Sequence, residues 1–259
     1  MKATAAKSPA RKSAPQKASA KTRLDHLLVD RGLAQSREKA QALILAGQVL
    51  VNGQKADKPG HSAAGDAQIE LLDRMPYVSR GGYKLAAALD HWAIDVKGRV
   101  CLDVGASTGG FTDCLLQRGA ARVWSIDVGH GQLDWKLRND PRVVVREGIN
   151  ARNLSAEDFP EKFALAVCDA SFISTTLLIP AIVPLLAPRG ELVILVKPQF
   201  EVARGQVGKG GIVRDPDLHL AACDRVRAAV EARGFHGRFI ASPILGAEGN
   251  REFLLHASR

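Results

Sequence analysis

The sequence predicts an α/β protein: a mostly parallel seven-stranded sheet with an antiparallel C-terminal hairpin, preceded by a small α+β module. Three observations predict it. From residue 99 onward, short apolar runs alternate with helix-length amphipathic stretches, the pattern of a parallel sheet covered on both faces. The last two runs are joined only by residues 243–251, and a connection that short joins antiparallel neighbours. Before residue 73, two helical patterns and a hairpin signal are compressed into about fifty residues, too few to bury a large core alone.

The elements follow in order. Residues 1–21 hold no acid and no large apolar residue beyond Met1, and include Pro9 and Pro15. They offer neither an apolar signal segment nor an amphipathic targeting helix, and are expected to be a disordered basic tail. In the module at 22–72, Leu24, Leu27 and Leu28 recur at helical spacing and Gly32 closes the helix. Ser36 is the N-cap of a second helix that turns Ala40, Leu43 and Ile44 inward and stops at Gly47. Val49 and Val51 alternate as a strand, Asn52-Gly53 is a hairpin turn, and a last short strand is expected at 69–72. Residues 73–80 read as a linker and 81–259 as the larger domain. Its strands are expected at 100–104, 122–127, 142–146, 164–169, 191–196, 237–242 and 252–256, with helices at 111–118, 176–186 and 217–233. Asp215-Pro216 supplies the N-cap and first-turn proline of the last helix.

Charge is unevenly placed. Residues 1–80 carry 14 Lys/Arg against 7 Asp/Glu, a net of +7, whereas residues 81–259 carry 22 against 20, a net of +2. That asymmetry suits a polyanionic partner, nucleic acid or an anionic surface. A membrane span is not expected, because the longest apolar stretch, 177–186, is broken by Pro180 and Pro184. The four cysteines, Cys101, Cys114, Cys168 and Cys223, have neither metal-ligand spacing nor a disulfide framework. No metal is expected, and the thiols suit a reducing cytoplasm.

The motif that carries chemistry is Asp103-Val-Gly-Ala-Ser-Thr-Gly-Gly-Phe-Thr-Asp113, which follows the first large-domain strand and opens a helix. Gly105 and Gly109 are expected to let the backbone approach a ligand at the carboxyl end of that strand. Asp127 ends the next strand, where a carboxylate can accept from both hydroxyls of a nucleoside ribose. A dinucleotide site would place glycine where Asp103 stands, since a pyrophosphate lies on the helix N-terminus. A carboxylate there repels pyrophosphate and tolerates the cationic methionine part of S-adenosylmethionine, so that cofactor is favoured over NAD. The sheet with its terminal hairpin is also the shape of the common class of methyltransferases. Asp169 and Lys197 end buried strands beside the same loop, which makes them candidates for function. Lys84 and Glu252, judged from their local sequence alone, read as solvated charges.

The phrases Ser79-Arg-Gly-Gly, Asp103 to Asp113, Asp127-Val-Gly-His-Gly-Gln-Leu133, Lys197-Pro-Gln-Phe-Glu201 and Val207-Gly-Lys-Gly-Gly-Ile-Val-Arg-Asp215 resemble the TlyA family. These are ribosomal RNA 2′-O-methyltransferases, sometimes labelled hemolysins, with a catalytic domain similar to the FtsJ ribose methyltransferases. Residues 23–72, with Arg23-Leu-Asp25, Ser36-Arg-Glu-Lys-Ala40 and Val49-Leu-Val-Asn-Gly53, resemble the RNA-binding domain of ribosomal-protein-S-four type. The resemblance implies a Rossmann-like class I methyltransferase fold and methylation of a ribose 2′-hydroxyl, of cytidine, in ribosomal RNA within ribosomal subunits. The hemolysin label suggests a membrane-active protein as the alternative, but neither spanning helices nor barrel-length amphipathic strands are legible, so no membrane role is expected, and no obligate protein partner is inferred. The resemblance places the catalytic set on Lys84, Asp169, Lys197 and Glu252. Lys197 would facilitate proton loss beside the second cation, Lys84, while Asp169 and Glu252 orient the ammonium groups. The cofactor set is Asp103, Gly105, Ala106, Ser107, Thr108, Gly109, Phe111, Asp127 and Asn150. RNA contacts are expected at Arg23, Arg37, Lys39 and Lys55, the first three on exposed surface.

Overall fold

The computed structural model describes residues 21–45, 48–56, 58–71, 75–246 and 249–259. The expected tail up to residue 20, the Gly47 stop and the strand end at Leu72 lie outside the described residues. The chain forms two compact units, Met1–Arg74 and Met75–Arg259.

In the first unit, β1 (Lys21–Arg23) leads into α1 (Leu24–Asp30), and α2 (Arg37–Leu45) follows. Strands β2 (Val49–Val51), β3 (Gln54–Ala56), β4 (Ser62–Ala64) and β5 (Ile69–Leu71) complete the unit. The order β3-β2-β5 is antiparallel throughout, and β1 pairs with β4 as a separate ribbon. Asn52 and Gly53 both have left-handed φ, 51° and 77°, as a two-residue hairpin turn of the I′ type requires. The Lys39 amide donates to the Ser36 hydroxyl, so Ser36 caps α2 as expected. Leu24, Leu28, Ile44 and Val49 are wholly buried and form the small core. The pairing of β1 with β4 carries no apolar alternation, and the sequence reading missed both strands.

The second unit opens with α3 (Gly81–His91), which the sequence reading also missed. Leu85, Ala88 and Leu89 are its buried stripe, at the i, i+3, i+4 spacing of an amphipathic helix. Then come β6 (Val100–Val104), α4 (Gly110–Gln117), β7 (Arg122–Asp127), α5 (Trp135–Arg138) and β8 (Val143–Glu147). They are followed by β9 (Phe163–Cys168), α6 (Ile179–Ile182), β10 (Leu186–Val196), α7 (Pro198–Glu201), α8 (Pro216–Glu231), β11 (His236–Ala241) and β12 (Phe253–Ser258). The sheet order is β11-β12-β10-β9-β6-β7-β8. Strands β6 to β10 are mutually parallel, and β12 runs antiparallel to both β10 and β11. The helix expected at 176–186 is broken into a 3-10 turn at Thr175–Leu177, the single turn α6, and a second 3-10 turn at Val183–Leu185. Pro180 and Pro184 each remove a backbone donor there, which an uninterrupted helix needs.

Both faces of the sheet are covered. Leu102 and Val104 of β6 join one core cluster with Val226 of α8, while Cys101 joins the other with Leu85 of α3 and Leu115 of α4. Residues 75–80, expected as a linker, pack onto this unit. The Val78 amide donates to Asp113 (2.9 Å), Gln117 donates to the Pro76 carbonyl (2.7 Å), and the Tyr77 ring meets Tyr83 edge-on. From β6 the chain builds outward through β7 to β8, then returns to the other side of β6 with β9. The carboxyl ends of β6 and β9 therefore flank the topological switch point, where open α/β sheets bind ligands.

Candidate active site

The loop after β6 is held close to the end of β9. Gly105 has φ +82°, and a Cβ there would lie 2.7 Å from the Asp169 carbonyl oxygen, so no other residue fits without moving β9. Gly109 serves a different purpose from the one expected. A Cβ on it would strike Leu137 Cδ1 at 2.3 Å, so it admits the apolar underside of the loop, not a ligand.

Two cavities open onto this loop, and a third shares residues with the second. The first, about 450 Å³, is lined by Gly105, Ser107, Asp127 and Asn150 and walled by apolar Ile126 and Ile149. The second, about 300 Å³, takes in Ala106, Thr108 and Phe111 together with Lys84, Asp169 and Lys197. The third, about 420 Å³, shares Lys84 and Lys197 with the second and adds Glu252 and the rings of Phe172 and Phe200. Ser171 lines all three.

Of the expected cofactor residues, seven line the first or second cavity, and Asp103 and Gly109 line neither. Asp103 is wholly buried. Its Oδ2 accepts from the Thr112 hydroxyl (2.6 Å), which is also 2.7 Å from Ser125. Burial pushes its carboxyl up to about 7, the Asp169 and Asp127 charges add to the rise, and the Thr112 hydrogen bond opposes it. Strand alternation explains the placement: Asp103 sits in register with Cys101, on the α3/α4 face, not at the strand tip. Asp127 is anchored on both oxygens, accepting from the Ser107 amide (2.8 Å) and the Gly129 amide (2.7 Å). It thus ties the cofactor loop to the turn after β7 while facing the first cavity. Asn150 accepts from the Arg152 amide (3.1 Å) and caps a 3-10 turn.

The four expected catalytic residues come together from distant elements. Lys84, on α3, donates to Glu252, just before β12, and both are nearly buried. Lys197, after β10, makes an ion pair with Asp169 after β9 (2.7 Å) and donates a hydrogen bond to the Ser171 hydroxyl (2.7 Å). The sequence reading missed Ser171, Phe172, Gln199 and Phe200, although the quoted phrase Lys197-Pro-Gln-Phe-Glu201 contains the last two. Phe172 is 91% exposed with φ 65°, an uncommon conformation for a bulky residue and one that clusters at functional sites. Its ring centroid lies 5.4 Å from that of Phe200. Glu201, buried, accepts from the Thr175 amide (2.7 Å), the Thr175 hydroxyl (2.8 Å) and the Ser174 hydroxyl. It fastens the loop bearing Ser171 and Phe172 to α7. The buried Cys168, beside Asp169, has its thiol pushed up to about 12 by burial, so it stays neutral.

In the first unit, two of the four expected RNA contacts have a structural duty. Asp25 is wholly buried and accepts from Arg23 Nε (3.0 Å) and Nη2 (2.9 Å), from Arg37 Nε (3.0 Å) and from Gln41 (3.0 Å). The Arg23 hydrogen bond, helped by those of Gln41 and Arg37, holds its carboxyl well below the usual carboxylate range despite burial. Both guanidinium groups stay about half exposed, yet they are not the free surface charges expected, because a buried carboxylate needs them. Lys39 and Lys55 are exposed.

Comparison with known proteins places this geometry. Residues 77–259 match the model of the FtsJ-like methyltransferases, and residues 22–69 match that of the S4 domain. A relative from Mycobacterium tuberculosis, a 16S/23S rRNA (cytidine-2′-O)-methyltransferase named TlyA, is 48% identical over 238 residues, covering 91% of this chain and 89% of its own length. A protein named hemolysin A from Brachyspira hyodysenteriae is 46% identical over 90% of this chain and 98% of its own. Among solved structures, a hemolysin-named protein from Streptococcus thermophilus superposes with a TM-score of 0.72 at 42% identity, covering 92% of this chain and 88% of that one. Among the described residues, no helix is long and apolar enough to cross a membrane.

Proposed function

This chain belongs to the FtsJ-like methyltransferases and carries an S4 domain at its N-terminal side, and from that premise we propose that it methylates a ribose 2′-hydroxyl of cytidine in ribosomal RNA, using S-adenosylmethionine. The observation that carries the reading is the meeting of Lys84, Asp169, Lys197 and Glu252 around two cavities that share Lys84, Lys197 and Ser171, the first of which is lined by the glycine loop. The nucleoside part of the cofactor fits the first cavity, whose wall of Ile126 and Ile149 suits a purine and whose Asp127 suits ribose hydroxyls. Bound there, S-adenosylmethionine supplies a methyl group already activated on a sulfonium.

The protein's task is then to position and deprotonate a weak nucleophile. Lys197, paired with Asp169, is placed to assist loss of the hydroxyl proton, and Asp169 stabilises its ammonium form. Ser171 fixes the nitrogen from a second direction, which leaves its remaining position for the acceptor. The Lys84–Glu252 pair places a cation opposite without adding net charge to the centre. With S-adenosylmethionine bound, transfer to the hydroxyl oxygen would be direct, and no residue of the chain would carry the methyl group. The S4 domain, with exposed Lys39 and Lys55, is suited to phosphate contacts that position the substrate.

The test is incubation of unmodified ribosomal subunits with labelled S-adenosylmethionine, followed by mapping of the labelled nucleotide and of the labelled atom. The wild-type chain labels a cytidine ribose, and Lys197→Ala abolishes transfer while keeping cofactor affinity within a few-fold. Label on a base, or wild-type turnover in Lys197→Ala, overturns the reading.

A further inference from the structure

The third cavity contains a polar side chain that neither the charged residues nor the cofactor loop uses. Gln199 stands on α7, between Pro198 and Phe200, and lines this cavity with Lys84 and Lys197. Its Oε1 is closed off from solvent with no hydrogen-bond partner. The neighbouring carboxamide behaves differently: Asn250 accepts from the Val213 amide (3.1 Å) and donates to the Gly211 carbonyl (3.0 Å). A buried polar atom is almost always paired, and one that is not needs a reason. The walls beside Gln199 are the tilted rings of Phe172 and Phe200.

We infer that Gln199 reads the nucleobase of the acceptor nucleotide, its carboxamide turning from the closed-off position into the cavity so that Oε1 accepts an N–H from the base. The inference rests on the ribose-methylation reading above. A ribose held at Lys197 for proton loss carries its base into the same cavity, because Lys84, Lys197 and Gln199 line one space. The flat faces of a base suit aromatic rings, with little regard to sequence. Discrimination has to come from its edge, where Gln199 is the uncommitted group. A carboxamide presents an acceptor beside a donor, the complement of the cytosine amino group beside ring N3. Uracil presents the reverse order, so a carboxamide seated to meet cytosine sets acceptor against acceptor and donor against donor.

The experiment uses the full chain, labelled S-adenosylmethionine, and two sets of unmodified ribosomal subunits. One set carries cytidine at the nucleotide the wild type labels, and the other carries uridine there. Replacing Gln199 by Leu, an apolar side chain of similar reach, lowers kcat/KM on cytidine by about 5- to 150-fold, the range of one good bidentate base contact. It leaves cofactor affinity unchanged and brings the cytidine-to-uridine ratio toward one. Gln199→Asn keeps the amide but is one methylene shorter, and shows the same loss of ratio if the leucine variant folds poorly. An unchanged rate, or an equal loss on both substrates with the ratio preserved, overturns the inference and leaves the ribose-methylation reading intact. Absence of labelling by the wild type overturns that reading and this inference with it.

Discussion

Breaking the Lys84–Glu252 pair separates what the pair does for the fold from what it does for the chemistry. Lys84 is 8% and Glu252 4% exposed, and Glu252 packs against Gly246, where a Cβ would come within 2.1 Å of Oε1. Replacing Glu252 by Leu strands an ammonium group in a site with almost no water. Removing one partner of a buried pair costs roughly 3–5 kcal/mol. For a domain of this size each kcal/mol moves Tm by roughly 2–4 °C, so the variant melts roughly 6–20 °C lower. The double variant Lys84→Met, Glu252→Leu removes both charges, and most of the loss returns, since apolar replacement of a whole pair is often neutral. All three tryptophans, Trp92, Trp124 and Trp135, lie in the catalytic unit, so their fluorescence during urea unfolding reports on that unit. The double-mutant cycle gives a coupling energy above about 2 kcal/mol, while transfer is lost in every variant. Additive losses, or a single variant costing under about 1 kcal/mol, refute the argument that this is a desolvated pair.

Two further outcomes concern pH. The Asp103 carboxyl is pushed up to about 7 by burial, against about 3.9 in an unfolded chain, so the folded state holds the proton more tightly. Its contribution is complete below about pH 4 and is lost as pH rises through 7; without cofactor, urea midpoints of the catalytic unit fall across that window, and Asp103→Asn flattens the fall. Asp25 has the opposite sign: its folded carboxyl is depressed, so it stabilises the first unit above about pH 4 and the benefit is lost in more acid solution. Asp25→Asn removes that acid sensitivity in amide exchange of α1 and α2. By the same measurement, charge reversal at Lys39 and Lys55 lowers RNA affinity with the helices still protected, whereas reversal at Arg23 and Arg37 loses both; protected helices in the latter variant would show that Asp25 does not need its guanidinium partners.

What was legible in the sequence is what local pattern encodes. Strand-helix alternation and the short 243–251 connection gave the sheet and its reversed β12, because periodicity and loop length act within a few residues of each other. The glycine loop and Asp127 were legible because both sit at strand ends, which topology brings to one edge. Lys84 and Glu252 were not legible from their surroundings: they are 168 residues apart, and a lone charge in a helix or before a strand looks solvated. Only the family resemblance placed them together. Asp103 was misplaced because motif position was given more weight than strand alternation, which sends its side chain to the α3/α4 face. Arg23 and Arg37 were read as exposed RNA contacts, and they are exposed, but their pairing with buried Asp25 is tertiary: Arg37 lies 12 residues away, on another helix.

The charge arrangement constrains how RNA is captured. The four residues of the centre pair off, Lys84 with Glu252 and Lys197 with Asp169, so together they add no net charge with which to attract a phosphate backbone, and Arg80 is the further cation lining the second cavity. Such a centre can bind a neutral ribose edge without trapping phosphates, and that protects turnover, because a strongly cationic pocket would hold the methylated product as firmly as the substrate. Attraction must then come from charge placed elsewhere, and the chain puts a net +7 in residues 1–80 against +2 in the rest. Part of that +7 is engaged at Asp25, which leaves exposed lysines such as Lys39 and Lys55 to release counterions on binding. Affinity will therefore depend steeply on salt, while the chemical step on bound RNA, set by two neutralised pairs, will not.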